Sequence, residues 1–453
     1  MRLRLEIVLA RLAGRLSRLA ARGGGTTLPG KILATLDPSA VGVLAARLPR
    51  GCALVTGTNG KTTTSAMVAE ILSPTVRLAH NRSGANLVSG VASTLLHADG
   101  AELGLFEVDE AAFPDIAART APRAVLLGNL FRDQLDRYGE LEIVAERWRG
   151  AVAALDPAAT VVANADDPLV ASIAGGRDAA LLFGLDDPSV ARERLPHAAD
   201  SKYCVVCGTP YDYAAAYMGH LGDYRCPNCH VARPPLDVAA RAIALDGLDG
   251  SSFDLHAPDG MRRIELALPG LYNVYNALAA ASLALALGAS LDDVAAGLGR
   301  FQAAFGRFER IPAGDRGVLL LLVKNPAGAN EAVRTLVDGG PRSLAVIALN
   351  DDIADGRDVS WIWDVDFEPL AEGLETLVAT GSRAQELALR FAYGGLDRDR
   401  IEVVPDLERA LDRGLELTPP GGELAVLPTY TAMLALRRIV ADRGLVRPYW
   451  EAA

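Results

Sequence analysis

The sequence predicts an α/β protein: a doubly wound parallel sheet followed by a second, smaller α/β unit. Three observations predict it. An apolar run feeds a glycine-rich turn and then a helix at Leu54–Thr64, short β-rich runs alternate with helical stretches from Gly51 to about residue 200, and the alternation restarts near residue 312. The 453 residues allow about three domains, and with 50% apolar residues the chain can bury several cores.

Residues 1 to about 22 read as a helix, with Leu3, Ile7, Leu9, Leu12, Leu16 and Leu19 forming a stripe beside six arginines and Gly23-Gly24-Gly25 ending it. The stripe fits either packing on the next domain or contact with anionic lipid headgroups; the lack of aromatic anchors favours packing. Strands are expected at Ala53–Thr56, Leu103–Val108, Ala124–Leu127 and Thr160–Ala163, with helices at 61–72 and 140–154. A cysteine-bearing insertion fills about 201–235, strand-like residues resume, and Asn273–Leu287 reads as an Ala/Leu-rich helix. In the second unit Gly317–Val323, Ser343–Ala348, Thr376–Thr380 and Leu424–Leu427 read as strands. The expected division is a leading segment 1–48, a central α/β unit 49–311 carrying the insertion, and a closing unit 312–453.

A net charge of −11 argues against a general nucleic-acid surface. No apolar run approaches a membrane span and no cleavable leader is evident, so a cytoplasmic enzyme is expected, with contact at the inner face of the membrane left open.

The chemistry begins at Thr56-Gly57-Thr58-Asn59-Gly60-Lys61-Thr62-Thr63. Small residues let backbone N–H groups approach phosphate oxygens, and the following helix presents its positive end. Lys61 can reach the β- and γ-phosphates of ATP and the Thr62 hydroxyl can bind Mg²⁺. Only two residues separate Gly57 from Gly60, fewer than in the common phosphate loop. Glu107, at a strand end, is the expected second Mg²⁺ ligand. Asp109 and Glu110 stand open between a similar role and that of solvated loop charges. The asparagines Asn273 and Asn276 either contact adenine or cap their helix.

Cys204-x2-Cys207-x18-Cys226-x2-Cys229 has the spacing of a zinc ribbon. Four thiolates close a tetrahedral Zn²⁺ site, so its role is structural, and His220 and His230 are left out of the ligand set. A redox role for either Cys-x2-Cys is the weaker alternative. Cys52 stands alone, so a disulfide framework is not expected.

In this order the phosphate loop, Glu107, the series Asn129, Asp133, Leu135, Asp136 and Gly139, then Asn273 with Asn276, and Gly306-Arg307-x-Glu309 resemble the Mur ligases, which include the folylpolyglutamate synthetases. The resemblance covers about residues 50 to 453. It implies a central phosphate-loop ATPase domain, a Rossmann-like C-terminal domain, and amide-bond formation through an acyl phosphate. Arg307 is then either a hinge or nucleotide contact, or part of a structural salt bridge.

Three departures narrow the reading. The loop lies too close to the first residue for a uridine-binding domain, Gln134 stands where Mur ligases place a metal-binding His, and the cysteine insertion is extra. With Lys324-Asn325-Pro326-Ala327-Gly328-x-Asn330-Glu331 and Asp355-Gly-x-Asp358-x-Ser-Trp-Ile-Trp-Asp364, the chain is similar to the MurT-type branch, the ligase-like subunit of lipid II isoglutaminyl synthase. That resemblance implies lipid II as substrate and a GatD-like glutaminase as partner. Lys324 and Asn325 would act at the phosphate or acyl group. Asp355, with Asp358 as fallback, would complete the glutaminase triad. The competing expectations are a ligase that adds an amino acid without a glutaminase, and a zinc-ribbon binding module on a degenerate ATPase scaffold.

Overall fold

The computed structural model describes residues 27–81, 85–133, 140–196, 199–302 and 307–447; the leading basic helix and Gln134 lie outside them. Two large sheets and one hairpin organise these residues.

The first sheet takes its parallel strands from β1 (Cys52–Thr56), β2 (Leu78–His80), β3 (Leu103–Glu107), β4 (Ala124–Leu127), β5 (Thr160–Asn164) and β6 (Ala180–Leu185). The ribbon hairpin β7 (Asp212–Met218) and β8 (Leu221–Arg225) stands apart. Then β9 (Val238–Asp246) pairs parallel to β6, and β10 (Gly250–Ala257) and β11 (Gly260–Leu266) extend the edge antiparallel. The spatial order is β11-β10-β9-β6-β5-β4-β1-β3-β2. β1, β3 and β4 are buried along their whole length, as strands covered on both faces must be.

β1 lies between β3 and β4, so the chain leaves it at a topological switch point. The carboxyl ends of these three strands open one crevice, which fixes where a ligand sits. The helix Lys61–Leu72 leaves β1 on one side of the sheet and packs against the helix Leu271–Ala286.

The second sheet comprises β12 (Arg307–Ala313), β13 (Arg316–Leu321), β14 (Leu344–Ala348), β15 (Thr376–Thr380), β16 (Ile401–Val403) and β17 (Glu423–Pro428), in the order β12-β13-β17-β14-β15-β16. Only β12 runs antiparallel to its neighbour. The helix Pro326–Asp338 leaves β13 and faces the first unit. Among the described residues no helix is long and apolar enough to cross a membrane.

Candidate active site

The turn after β1 is held open by its glycines and its neighbours. Gly60 has φ +84°, and a Cβ there would lie 2.0 Å from Asn276 Oδ1, so only glycine fits. Asn129, just past β4, clamps the turn: its Oδ1 accepts from Asn59 N at 2.9 Å, its Nδ2 donates to Asn59 O at 3.1 Å, and its carbonyl accepts from Thr58 N at 2.9 Å. The first turn of the helix Lys61–Leu72 leaves the N–H groups of Lys61, Thr62 and Thr63 without intrahelical acceptors, facing the crevice.

Lys61 is folded back. Its Nζ donates to the carbonyls of Gly57 (2.6 Å) and Thr58 (3.2 Å) and to Glu110 Oε2 (2.8 Å). Glu110 is therefore no solvated loop charge; it is buried, as is Asp109, whose carboxylate accepts from Ala111 N. Burial alone would raise the Glu110 carboxyl, but Lys61 and Lys324 outweigh it and hold the group below the ordinary carboxylate range. Trp148 Nε1 donates to Glu110 O at 2.9 Å, and its ring packs edge-on to Phe113, which fixes the segment.

Glu107 ends β3 with its backbone gripped by Asn81: Asn81 Oδ1 accepts from Glu107 N at 2.9 Å and Nδ2 donates to Glu107 O at 2.8 Å. Its carboxylate and Thr62 line the same cavity, with Asn86 Nδ2 3.5 Å from Oε1. Asn276 also lines this cavity and accepts from Thr64 Oγ1, whereas Asn273 is buried and donates to Pro269 O as a helix-start bond.

The second unit closes the cavity, which measures about 350 Å³. Lys324 Nζ reaches Asp133 Oδ2 at 2.6 Å and Thr58 O at 3.2 Å. Burial lifts the Asp133 carboxyl above its ordinary value, against the pull of Lys324. Asn325 exchanges two amide hydrogen bonds with Asn59, at 3.0 and 3.3 Å, while its Oδ1 caps the next helix through Gly328 N. Glu331 on that helix pairs with Arg192 of the first unit. Arg307 enters β12 opposite Leu321; its side chain lies outside the described residues.

Asp355 is buried and lies within its own unit: Thr431 N donates to Oδ1 at 2.8 Å and the Thr431 hydroxyl donates to Oδ2. Burial pushes its carboxyl up from the ordinary value. Asp358 is exposed and accepts from Ser360 N at 2.8 Å. Of the neighbouring tryptophans, Trp361 packs on the core, and Trp363 is half exposed, edge-on to Tyr393 at 5.7 Å.

The four ribbon sulfurs lie within 4.8 Å of one another. Zn–S bonds of ~2.3 Å in a tetrahedron need sulfurs roughly 3.8 Å apart, so four thiols gathered this closely are compatible with one metal ion. The two knuckles match in backbone: Gly208 and His230, each following the second cysteine, have φ of +73° and +62°. The Thr209 hydroxyl and N–H draw the Cys207 thiol down from its ordinary value. His220 is not a ligand. It is fully buried on the hairpin, its Nε2 3.3 Å from Asp167 Oδ2. Burial would lower its pKa, yet Asp167 outweighs burial and raises it.

A phosphate cradle at the switch point of one α/β sheet, closed by a lysine and an asparagine from a second, defines an ATP-dependent ligase of two-lobed type. Residues 55–233 match the Mur ligase middle domain and residues 322–433 the MurT ligase C-terminal family, so the chain belongs to the Mur ligase family, in its MurT branch. It is 35% identical over 454 residues to the lipid II isoglutaminyl synthase (glutamine-hydrolyzing) subunit MurT of Streptococcus pneumoniae, covering 98% of this chain and 99% of that one. The subunit of the same name from Staphylococcus aureus (strain N315) is 30% identical over 435 residues, 94% of this chain and 95% of the relative. Among solved structures, a pseudomurein peptide ligase type C from Methanothermus fervidus superposes with a TM-score of 0.70 at 21% identity, over 88% of this chain and 80% of that one. The Mycobacterium tuberculosis folylpolyglutamate synthase complexed with ADP gives 0.65 at 17% identity, over 96% and 98%. These two likenesses speak for the fold.

Proposed function

We propose that the chain is the ligase subunit of a lipid II isoglutaminyl synthase, amidating the α-carboxylate of D-Glu in the stem peptide to D-isoglutamine. The end-to-end match to subunits of that name carries this reading. The division into 1–48, 49–311 and 312–453 then separates a leading segment, an ATP-binding unit and a closing unit.

ATP would lie along Gly57–Thr63, with Asn276 beside the phosphate loop, Asn273 holding Asn276 from behind rather than meeting the base, and Arg307 near the nucleotide. Thr62 and Glu107 would hold Mg²⁺, which supplies charge neutralisation on the phosphates. A substrate carboxylate oxygen attacks the γ-phosphorus, the bond to the β,γ-bridging oxygen breaks, and ADP leaves. Lys61 must quit Glu110 and the loop carbonyls to meet the phosphate oxygens, while Lys324 and Asn325 approach from the other lobe; the chemistry is chiefly positioning and charge. Ammonia then attacks the acyl carbon, loses a proton, and expels phosphate.

A GatD-like glutaminase subunit would supply the ammonia. Asp355, its carboxylate fixed by Thr431, would complete that partner's triad; Asp358, already facing solvent, is the fallback. Zn²⁺ on Cys204, Cys207, Cys226 and Cys229 would brace the ribbon. The work would be done in the cytoplasm, with lipid II met at the inner face of the membrane.

The test supplies ATP, lipid II and glutamine, with and without a glutaminase subunit. Glutamine-dependent amidation by the pair alone is expected, and amino-acid addition by this chain alone would overturn the reading. Asp355→Asn should abolish glutamine use yet keep activity with high ammonia. If Asp358→Asn does so instead, the fallback takes the role.

A further inference from the structure

The hairpin of the ribbon does more than carry cysteines. Met218, the last residue of β7, lines the large cavity, and the turn Gly219-His220 that follows it packs on Phe131. Gly219 has φ +57°, and a Cβ there would meet the Phe131 ring at 2.7 Å. The His220 ring sits 4.7 Å from the same ring, centroid to centroid.

Phe131 belongs to the segment that seats the phosphate loop. Its N–H donates to Thr58 Oγ1 at 3.0 Å, and its carbonyl accepts from the same hydroxyl at 3.3 Å. One residue earlier, Leu130 N donates to Asp167 Oδ2 at 2.8 Å, the carboxylate oxygen that His220 Nε2 faces. The opposite flank of the hairpin meets the second lobe. Tyr217 O accepts from Arg334 at 3.2 Å, and Ala216 O accepts from the N–H of Arg192, whose guanidinium pairs with Glu331 at the cavity.

We infer that the hairpin turn, anchored by His220, is a positioning element for phosphoryl transfer, setting Thr58 through the Leu130–Phe131 segment and the closing helix through Arg334. The inference rests on the nucleotide reading above. His220 touches no reacting atom; it acts through Asp167 and Phe131. Geometry at this distance matters because a displacement of about 1 Å in a cradle can cost on the order of a hundredfold in rate.

The experiment uses the full chain co-purified with its glutaminase subunit, with bound zinc counted and MgATP binding measured by calorimetry beside steady-state kinetics. His220→Ala, with zinc content unchanged, should weaken MgATP binding about tenfold and lower kcat as well, as expected for a displaced cradle. His220→Gln, which keeps a polar N–H group opposite Asp167, should recover most of both. A folded His220→Ala chain that binds MgATP like wild type overturns the inference, and so does a loss that His220→Gln fails to mend. If His220→Ala does not fold, Gly219→Ala decides. It should weaken MgATP binding by crowding Phe131, and Phe131→Leu in the same chain should restore it; unchanged binding in Gly219→Ala overturns the inference. Failure of the wild-type chain itself to bind MgATP would instead sink the nucleotide reading.

Discussion

Removing the Lys61 ammonium should expose how the cradle balances its charges. In Lys61→Met, Glu110 keeps its burial but loses the ammonium at 2.8 Å. Breaking a buried ion pair from one side costs about 3–5 kcal/mol, and the nearby Lys324 trims this to about 2–4 kcal/mol. At about 2–4 °C per kcal/mol for a unit of this size, the first thermal transition should fall by roughly 4–16 °C at pH 8.

The pH dependence gives the sign. In the wild type Glu110 titrates below its ordinary 4.5, so its stabilisation is present above pH 4.5 and lost as pH falls through the folded value. In Lys61→Met burial dominates and the folded pKa moves above 4.5, so stability declines as pH rises. The gap between the two chains should therefore be smaller at pH 5 than at pH 8, where it is widest, and Lys61→Met/Glu110→Gln should close most of it. Scanning calorimetry across that range is the assay. A gap that stays the same at both pH values, or a double variant no better than the single, would refute the argument.

Asn325→Ala removes two amide bonds to Asn59 and the cap on Gly328, each worth ~1 kcal/mol, so kcat/KM should fall by about two orders of magnitude while thermal stability changes less. The raised pKa of His220 means its contribution is full below the ordinary 6.5 and lost as pH rises through the folded value. With zinc saturating, wild-type stability should thus decline through the neutral range and above, and His220→Gln should flatten the slope. Stripping the metal should leave four cysteines reactive to a thiol reagent in the folded chain. The fifth, Cys52, should stay silent, because it is buried in β1 with its thiol pushed up to about 12.

The strands that bear the cradle were readable because their cause is local. β1, β3 and β4 are short apolar runs that end in turn residues, and the structure places them within a residue of expectation. β2 and β16 escaped, since three residues are too few to show a period. The edge β9–β11 read only as strand-like, because its exposed faces dilute the apolar pattern. Lys61, Thr62, Glu107 and Lys324 line one cavity, and Asn325 hydrogen-bonds Asn59, which lines it too. Glu110 and Asp133 were under-read because the partners that define them, Lys61 and Lys324, lie 49 and 191 residues away. Asn81 and Trp148 carried no motif at all; their work is to hold the backbone of Glu107 and Glu110, which only the fold reveals.

The cavity wall carries a consequence for what can enter it. Lys61 and Lys324 are its ammonium groups, and both are already matched, by Glu110 and Asp133; Glu107, Asp109 and Glu331 add further carboxylates. Among the described residues such a wall holds no spare ammonium or guanidinium group, unlike a cleft that captures anions by field alone. Bare sulfate or inorganic phosphate should therefore find little purchase. A triphosphate would gain entry by bringing its own cation and by winning Lys61 away from Glu110, which would make the metal part of the admission rule and the site selective for a metal-bound nucleotide before any base is recognised.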